Sequence, residues 1–200
     1  GSLVGSYEES ILSGRMSTLP SKPLIFTAQI GVLANQDYKD CPPKLRCPKH
    51  VQLEFPAHVS TTQDDPILPY VGNLDLDSGF RGARRFARMP GGMRIPLRGQ
   101  VQVMIKNPNK TVVKVFLVPY DFTDMPSGTK TFLRQKYYST GAGMGPASST
   151  GSSSGTLRYA IHLQFCCPAP GYVYLYRSIR VVFANRVPDG KESLRVVLEG

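Results

Sequence analysis

The alternation of apolar and polar residues predicts strands along most of this chain. Across 99–106, Val101, Val103 and Ile105 recur at every second position, which puts them on one face of a strand. Asn107-Pro108-Asn109-Lys110 is a turn signal. Residues 111–120 form a second strand with apolar residues on both faces, which predicts a central position, and the two strands read as a hairpin. In 157–167, Leu157, Tyr159, Ile161, Leu163 and Phe165 point one way, and Arg158, His162 and Gln164 the other. Cys167-Pro168-Ala169-Pro170-Gly171 is a turn. A single long strand is expected over 172–183, bounded by Asn185 and Pro188-Asp189-Gly190, and a short terminal strand over 194–198. Stretches 24–33, 50–59 and 70–76 are strand-like, as is 129–138, which carries Lys130, Arg134 and Lys136 on one face. Residues 7–16 are ambiguous: Glu8-Glu9-Ser10-Ile11-Leu12 could start a helix, which Gly5 and Gly14 limit to two turns at most. No long amphipathic helix is evident. Short strands between Gly/Pro turns predict an all-β, β-sandwich-like single domain with long loops.

Composition supports that picture and narrows it. At 200 residues, 41% hydrophobic and 19% charged, the chain can build a core and is not wholly disordered. Its 19 Gly and 17 Pro follow no period, so they mark turns rather than collagen. No apolar run reaches bilayer length and no secretory leader opens the sequence, so neither membrane insertion nor secretion is expected. The 139–156 stretch, built on STGAGMGPASSTGSSSG, is expected to be a disordered Ser/Gly-rich loop between two strands.

Charge adds the first functional indication. The net +10 suggests a polyanionic partner, but it is unevenly spread. Residues 78–188 hold sixteen bases against two acids, while both flanks are net acidic. Arg81, Arg84, Arg85, Arg88, Arg94 and Arg98 crowd into an Arg/Gly-rich stretch, 78–98, that also carries Phe80 and Phe86 and reads as a flexible loop. Arginine forks match phosphate oxygens, so nucleic-acid contact is preferred there to protein contact or to a merely solvated loop. Lys130, Arg134 and Lys136 extend this candidate nucleic-acid surface.

Motifs for other chemistry are weak. Cys41-x5-Cys47-x2-His50, with His58 further on, has zinc-ligand residue types. The spacing fits poorly, and His50 and His58 would lie about 26 Å apart on one strand. A Pro-stiffened loop (Pro42, Pro43, Pro48) with buried thiols is preferred, so no metal or other cofactor is expected. Without a leader the cysteines should be reduced thiols. Of the adjacent pair, one of Cys166 and Cys167 should be a core residue and the other edge-exposed. There is no GxSxG, P-loop, GxGxxG or HExxH; His162 reads as a satisfied strand histidine, and Asp64-Asp65 and Asp75-x-Asp77 as solvated turns. Neither an enzyme nor a small-molecule substrate is expected. Tyr172, Tyr174 and Tyr176, with Arg180 beyond, are a candidate partner-binding stripe that could stack bases or receive an extended peptide. An amphipathic sheet face beneath a loop is the preferred reading of it.

Several motifs also resemble a known family. LVGSYEESILSGRM at 3–16 and FTAQIG at 26–31 resemble the opening of the Atos-like conserved domain. VVKVFLVPYD at 112–121, Asp124-Met125-Pro126 and TFLR at 131–134 are similar to its central part. Stretches 157–165 and 178–183 resemble its C-terminal segment, named for chromosome segregation during meiosis. The resemblance covers nearly the whole chain, implying one Atos-type β domain over 1–200. Beside those motifs, the 78–98 and 139–156 stretches look like insertions particular to this member, with a fungal character. The resemblance implies a nucleus-localised transcription regulator, with a meiotic role in fungal members and no enzyme activity. It implies longer relatives with disordered flanks, and it supplies no ligand or catalytic residue to carry over. The resulting expectation is a nuclear regulatory domain that contacts DNA through a basic surface. The alternative is an interaction module that tethers nuclear proteins, chromatin or transcription partners among them, without touching DNA.

Overall fold

The period-two pattern resolves into eleven strands in a computed structural model that describes residues 22–34, 50–59, 69–79, 92–139, 155–187 and 193–200. They are β1 (Leu24–Ala34), β2 (Val51–Val59), β3 (Tyr70–Asp75), β4 (Gly92–Ile95), β5 (Arg98–Lys106), β6 (Val112–Asp121), β7 (Thr129–Ser139), β8 (Thr156–Ala169), β9 (Tyr172–Tyr176), β10 (Ser178–Phe183) and β11 (Leu194–Glu199). One helical turn, α1 (Leu76–Gly79), follows β3. The fold is all-β and a single domain. All pairings are antiparallel, and the strand order is β11-β7-β8-β10-β3-β2-β1-β5-β6. β9 joins the free part of β8 beyond β10, and β4 pairs with β9.

This one sheet folds over itself. β2 and β3 separate β1 from β10 along the sheet, yet Phe26 of β1 meets Phe183 of β10 with ring centroids 4.8 Å apart. Tyr120 of β6 likewise lies 6.0 Å from Phe165 of β8. The β1-β5-β6 limb therefore packs on the β10-β8-β7 limb like two layers of a sandwich. Phe26, Phe55, Tyr70 and Phe183 form one aromatic cluster of the core, in mostly tilted and edge-to-face contacts. Val101, Val103 and Ile105 are fully buried, as their alternation predicts.

Five expectations need correction. β6 is a terminal strand, not a central one: its second apolar row, Val115 and Leu117, is exposed. The long strand expected over 172–183 is broken at Arg177, whose φ of 63° interrupts the extended backbone and turns the chain from β9 into β10. A bulge in β8 lets Tyr137 pair with Tyr159 and Tyr138 with Leu157, so Arg158 is the extra residue and Leu157 swings to the opposite face, beside Ala160 and Val182. Cys166 and Cys167 are both buried, because the outer face of β8 is itself covered at Cys166 by Tyr174 and Tyr176. Within the stretch expected as loop, residues 92–98, Met93 and Ile95 alternate into the core as β4, and Arg98 begins β5. Residues 80–91, the helical turn considered within 7–16, Asp64-Asp65 and the Pro188-Asp189-Gly190 turn lie outside the described residues. So does most of the 139–156 stretch, but Ser139 pairs with Thr156, so that stretch joins two neighbouring strands.

Candidate nucleic-acid interface

The sheet presents a basic, aromatic outer face on the limb built from β11, β7, β8, β10, β9 and β4. Odd-numbered residues of β7, and of β8 from Tyr159 to Cys167, face the core, as Leu133 and Leu163 do, so the even-numbered residues between them face outward. Strand register turns this alternation into rows. Glu199, Arg134, His162, Arg180 and Asn73 follow one another across β11, β7, β8, β10 and β3. Lys130, Cys166, Tyr174 and Arg94 form a second row across β7, β8, β9 and β4.

Within the first row, the Arg134 Nε–H donates to His162 Nδ1 at 3.2 Å. The Phe132 ring stacks on the His162 imidazole at 5.2 Å and 25°. Four arginines on this face lie over aromatic rings: Arg94 on Tyr172 at 4.1 Å, Arg134 on Phe132 at 5.6 Å, Arg177 on Tyr176 at 5.7 Å and Arg195 on Tyr138 at 5.0 Å. Arg180 is half-buried, and burial lowers its guanidinium pKa below the usual value. Glu199 is the acid on these rows, 3.4 Å from Lys136.

The expected contact residues thus divide. Arg94, Lys130, Arg134 and Lys136 share this face, but Lys136 is only 8% exposed and ion-paired to Glu199. Arg98 lies apart, opposite Asp121 at the end of the β5–β6 hairpin. Arg81, Arg84, Arg85 and Arg88 are outside the described residues. Their flanks converge at the β9–β10 break: Leu76 N–H donates to the Arg177 carbonyl at 2.9 Å, and Gly92 pairs with Tyr176. The tyrosine stripe divides too. Tyr174 and Tyr176 are buried around Cys166, whose thiol pKa burial pushes up, while Tyr172 is 43% exposed.

Phe132, Arg177 and Arg195 were not among the expected contact residues. Phe132 was legible, since Lys130-x-Phe132-x-Arg134 places it on the basic face of its strand. Arg195 meets Tyr138 only through the β11–β7 register, which leaves no local signal. Of the weighed metal ligands, Cys41 and Cys47 lie outside the described residues. His50 Nδ1 accepts from Gln29 Nε2 at 2.7 Å, and its ring lies against Gly31. Among the described residues no three His, Cys, Asp or Glu side chains gather, and no helix is long and apolar enough to cross a membrane.

Residues 3–71 match a family model described as a domain of unknown function (DUF4210), and 156–200 match one described as chromosome segregation during meiosis. The chain is 35% identical over 188 residues to an uncharacterised protein of Schizosaccharomyces pombe, covering 94% of this chain and 54% of that protein. It is 36% identical over 191 residues to Atos homolog protein A of Homo sapiens, covering 92% of this chain and 16% of that protein. Against Atos homolog protein B of Pongo abelii it is 35% identical over 189 residues, covering 92% of this chain and 30% of that protein. The chain thus spans about half the length of the yeast relative and less than a third of these two Atos homologs. No solved structure matches it significantly.

Proposed function

The chain belongs to the Atos family, and from that premise we propose that it is a non-enzymatic, nuclear regulatory domain whose basic outer face contacts nucleic acid, in transcription regulation or on meiotic chromosomes. The observation that carries this reading is the gathering of four arginine–aromatic stacks and Lys130 on one sheet face. A ring holds a guanidinium by its face and leaves its N–H edge for phosphate oxygens. The stretch matching the meiotic chromosome-segregation model supplies much of this face, including Tyr172, Arg177, Arg180 and Arg195. The sequence adds Arg81, Arg84, Arg85 and Arg88 between two segments rooted beside it. The absence of a catalytic motif supports the non-enzymatic part. The second reading, a module that tethers nuclear proteins without touching nucleic acid, draws on the exposed aliphatic residues Val115, Leu117, Val196 and Leu198 of β6 and β11.

Fluorescence anisotropy with duplex and single-stranded DNA at two salt concentrations tests the proposal. Phosphate contacts release counterions, so affinity should fall with a log–log slope of about −0.9 per contact on duplex. Lys130→Glu combined with Arg195→Glu, both exposed positions, should flatten that slope and weaken binding about tenfold or more. Absent or salt-insensitive binding would refute the reading and favour the tethering module.

A further inference from the structure

We infer that this face selects single-stranded nucleic acid by stacking unpaired bases on Phe132 and Tyr172; this rests on the nucleic-acid reading above. Phe132 and Tyr172 are 42% and 43% exposed, whereas Tyr174 and Tyr176 on the same face are buried. Each of the two exposed rings is held from its own side of the sheet. Phe132 lies parallel to the His162 imidazole, with Arg134 over it, and Tyr172 carries the Arg94 guanidinium 4.1 Å from its centroid. A ring already oriented by such contacts loses little further freedom when a base stacks on it.

The register sets the spacing. Phe132 pairs with Gln164 and Tyr172 with Ala169, so the rings are separated by five residues of β8 and two strand spacings. That is roughly 15–20 Å between their backbones. Lys130 pairs with Cys166, between Gln164 and Ala169, and is exposed. Along the strand direction the face therefore runs ring, cation and ring, the order in which an extended strand presents base, phosphate and base. A duplex offers its phosphates to the cations, but its bases are stacked on each other and cannot reach the rings. Unpaired bases can be splayed onto aromatic side chains whatever their sequence. Positive charge complements the phosphates of either polymer, so the rings and not the cations make the distinction.

Anisotropy titrations of the whole chain with oligothymidine, oligouridine and a duplex of equal length, at one ionic strength, test this. The unmodified chain should bind at least one single-stranded polymer more tightly than the duplex, and the two single-stranded arms identify which polymer is preferred. Replacing Phe132→Ala and Tyr172→Ala together should cost the single strand roughly 5- to 100-fold per ring and the duplex much less, because the duplex loses only the support of Arg94 and Arg134 and no stacked base. Phe132→Tyr with Tyr172→Phe keeps both rings and should keep the preference, which separates lost stacking from damaged folding. Duplex preference, or a single-strand affinity that survives loss of both rings, overturns the inference while leaving phosphate contact standing. Loss of binding in every arm for the unmodified chain overturns the nucleic-acid reading itself, and the inference with it.

Discussion

Asp121 illustrates how single residues finish the elements of this fold. Its carboxylate Oδ1 accepts from the Thr123 hydroxyl at 2.7 Å and from the Thr123 N–H at 3.0 Å, ending β6 with a side-chain turn. The Thr123 hydroxyl and backbone bonds, with Arg98 nearby, lower the Asp121 pKa below its ordinary 3.8. A depressed folded pKa contributes stability in full above the unfolded carboxylate value, and that contribution is lost as pH falls through the folded one. Thr123→Ala should therefore raise the Asp121 pKa toward 3.8 in an NMR titration and remove part of this acid-side contribution. Asp121 is exposed, so solvent limits the effect to well under about 1 kcal/mol. This turn is readable from Asp121-Phe122-Thr123, because an aspartate two residues ahead of its hydrogen-bond donors acts locally. The burial of Cys166 is not readable, because Tyr174 and Tyr176 cover it from another strand.

Among the elements, β6 shows how an edge strand is kept from pairing further. Pro119 lacks the N–H that a neighbouring strand would need, and this signal of an edge position stood in the sequence against the two-faced apolar pattern. The bulge at Val113 interrupts the β5 ladder. Lys114 turns over the rings of Tyr137 and Tyr159 at 3.9 and 4.2 Å, and Gln135 Nε2 donates to the Leu117 carbonyl at 3.0 Å. Bulges, inward charges and covered carbonyls all blunt an edge. The β9–β10 break depends instead on one backbone conformation. Arg177 has φ of 63°, a region that costs an L-residue about 1–2 kcal/mol and a glycine almost nothing. Arg177→Val should therefore be less stable than Arg177→Gly by about 1–2 kcal/mol in urea unfolding, because the β-branched side chain adds strain at this conformation. Equal midpoints for the two variants would mean that the break is not held in the left-handed region.

For the whole molecule, the two family-model matches at opposite ends of the chain belong to one core. Phe26 and Phe55, within 3–71, meet Phe183, within 156–200, at 4.8 and 6.2 Å. Neither end can bury its aromatic face without the other. Thermal unfolding followed by far-ultraviolet circular dichroism and by tyrosine fluorescence should give one coincident transition, and a fragment ending at residue 155 should not fold. Separate transitions would mean that the two matched segments hold independent cores. The net charge acquires its place at this scale too. Arginines scattered from Arg94 to Arg195 along the chain come together on one face because β4, β7, β9, β10 and β11 belong to the same folded limb.

The sequence by itself determined most of the strands, though not β4 or the break between β9 and β10, together with the all-β class, the buried row Val101, Val103 and Ile105, and the concentration of basic residues in 78–188. Alternation and turn chemistry act between residues a few positions apart, so they can be read without the fold. Only the tertiary structure decided that β6 ends the sheet, that Leu157 changes faces, that Tyr172 stays exposed while Tyr174 and Tyr176 are buried, and that Arg94 and Arg195 join Lys130 and Arg134. Those outcomes depend on which strands pair and in what register. A pairing between residues far apart in the chain is chosen by the packing of the whole core, and one bulge or one left-handed residue is enough to redirect the side chains that follow.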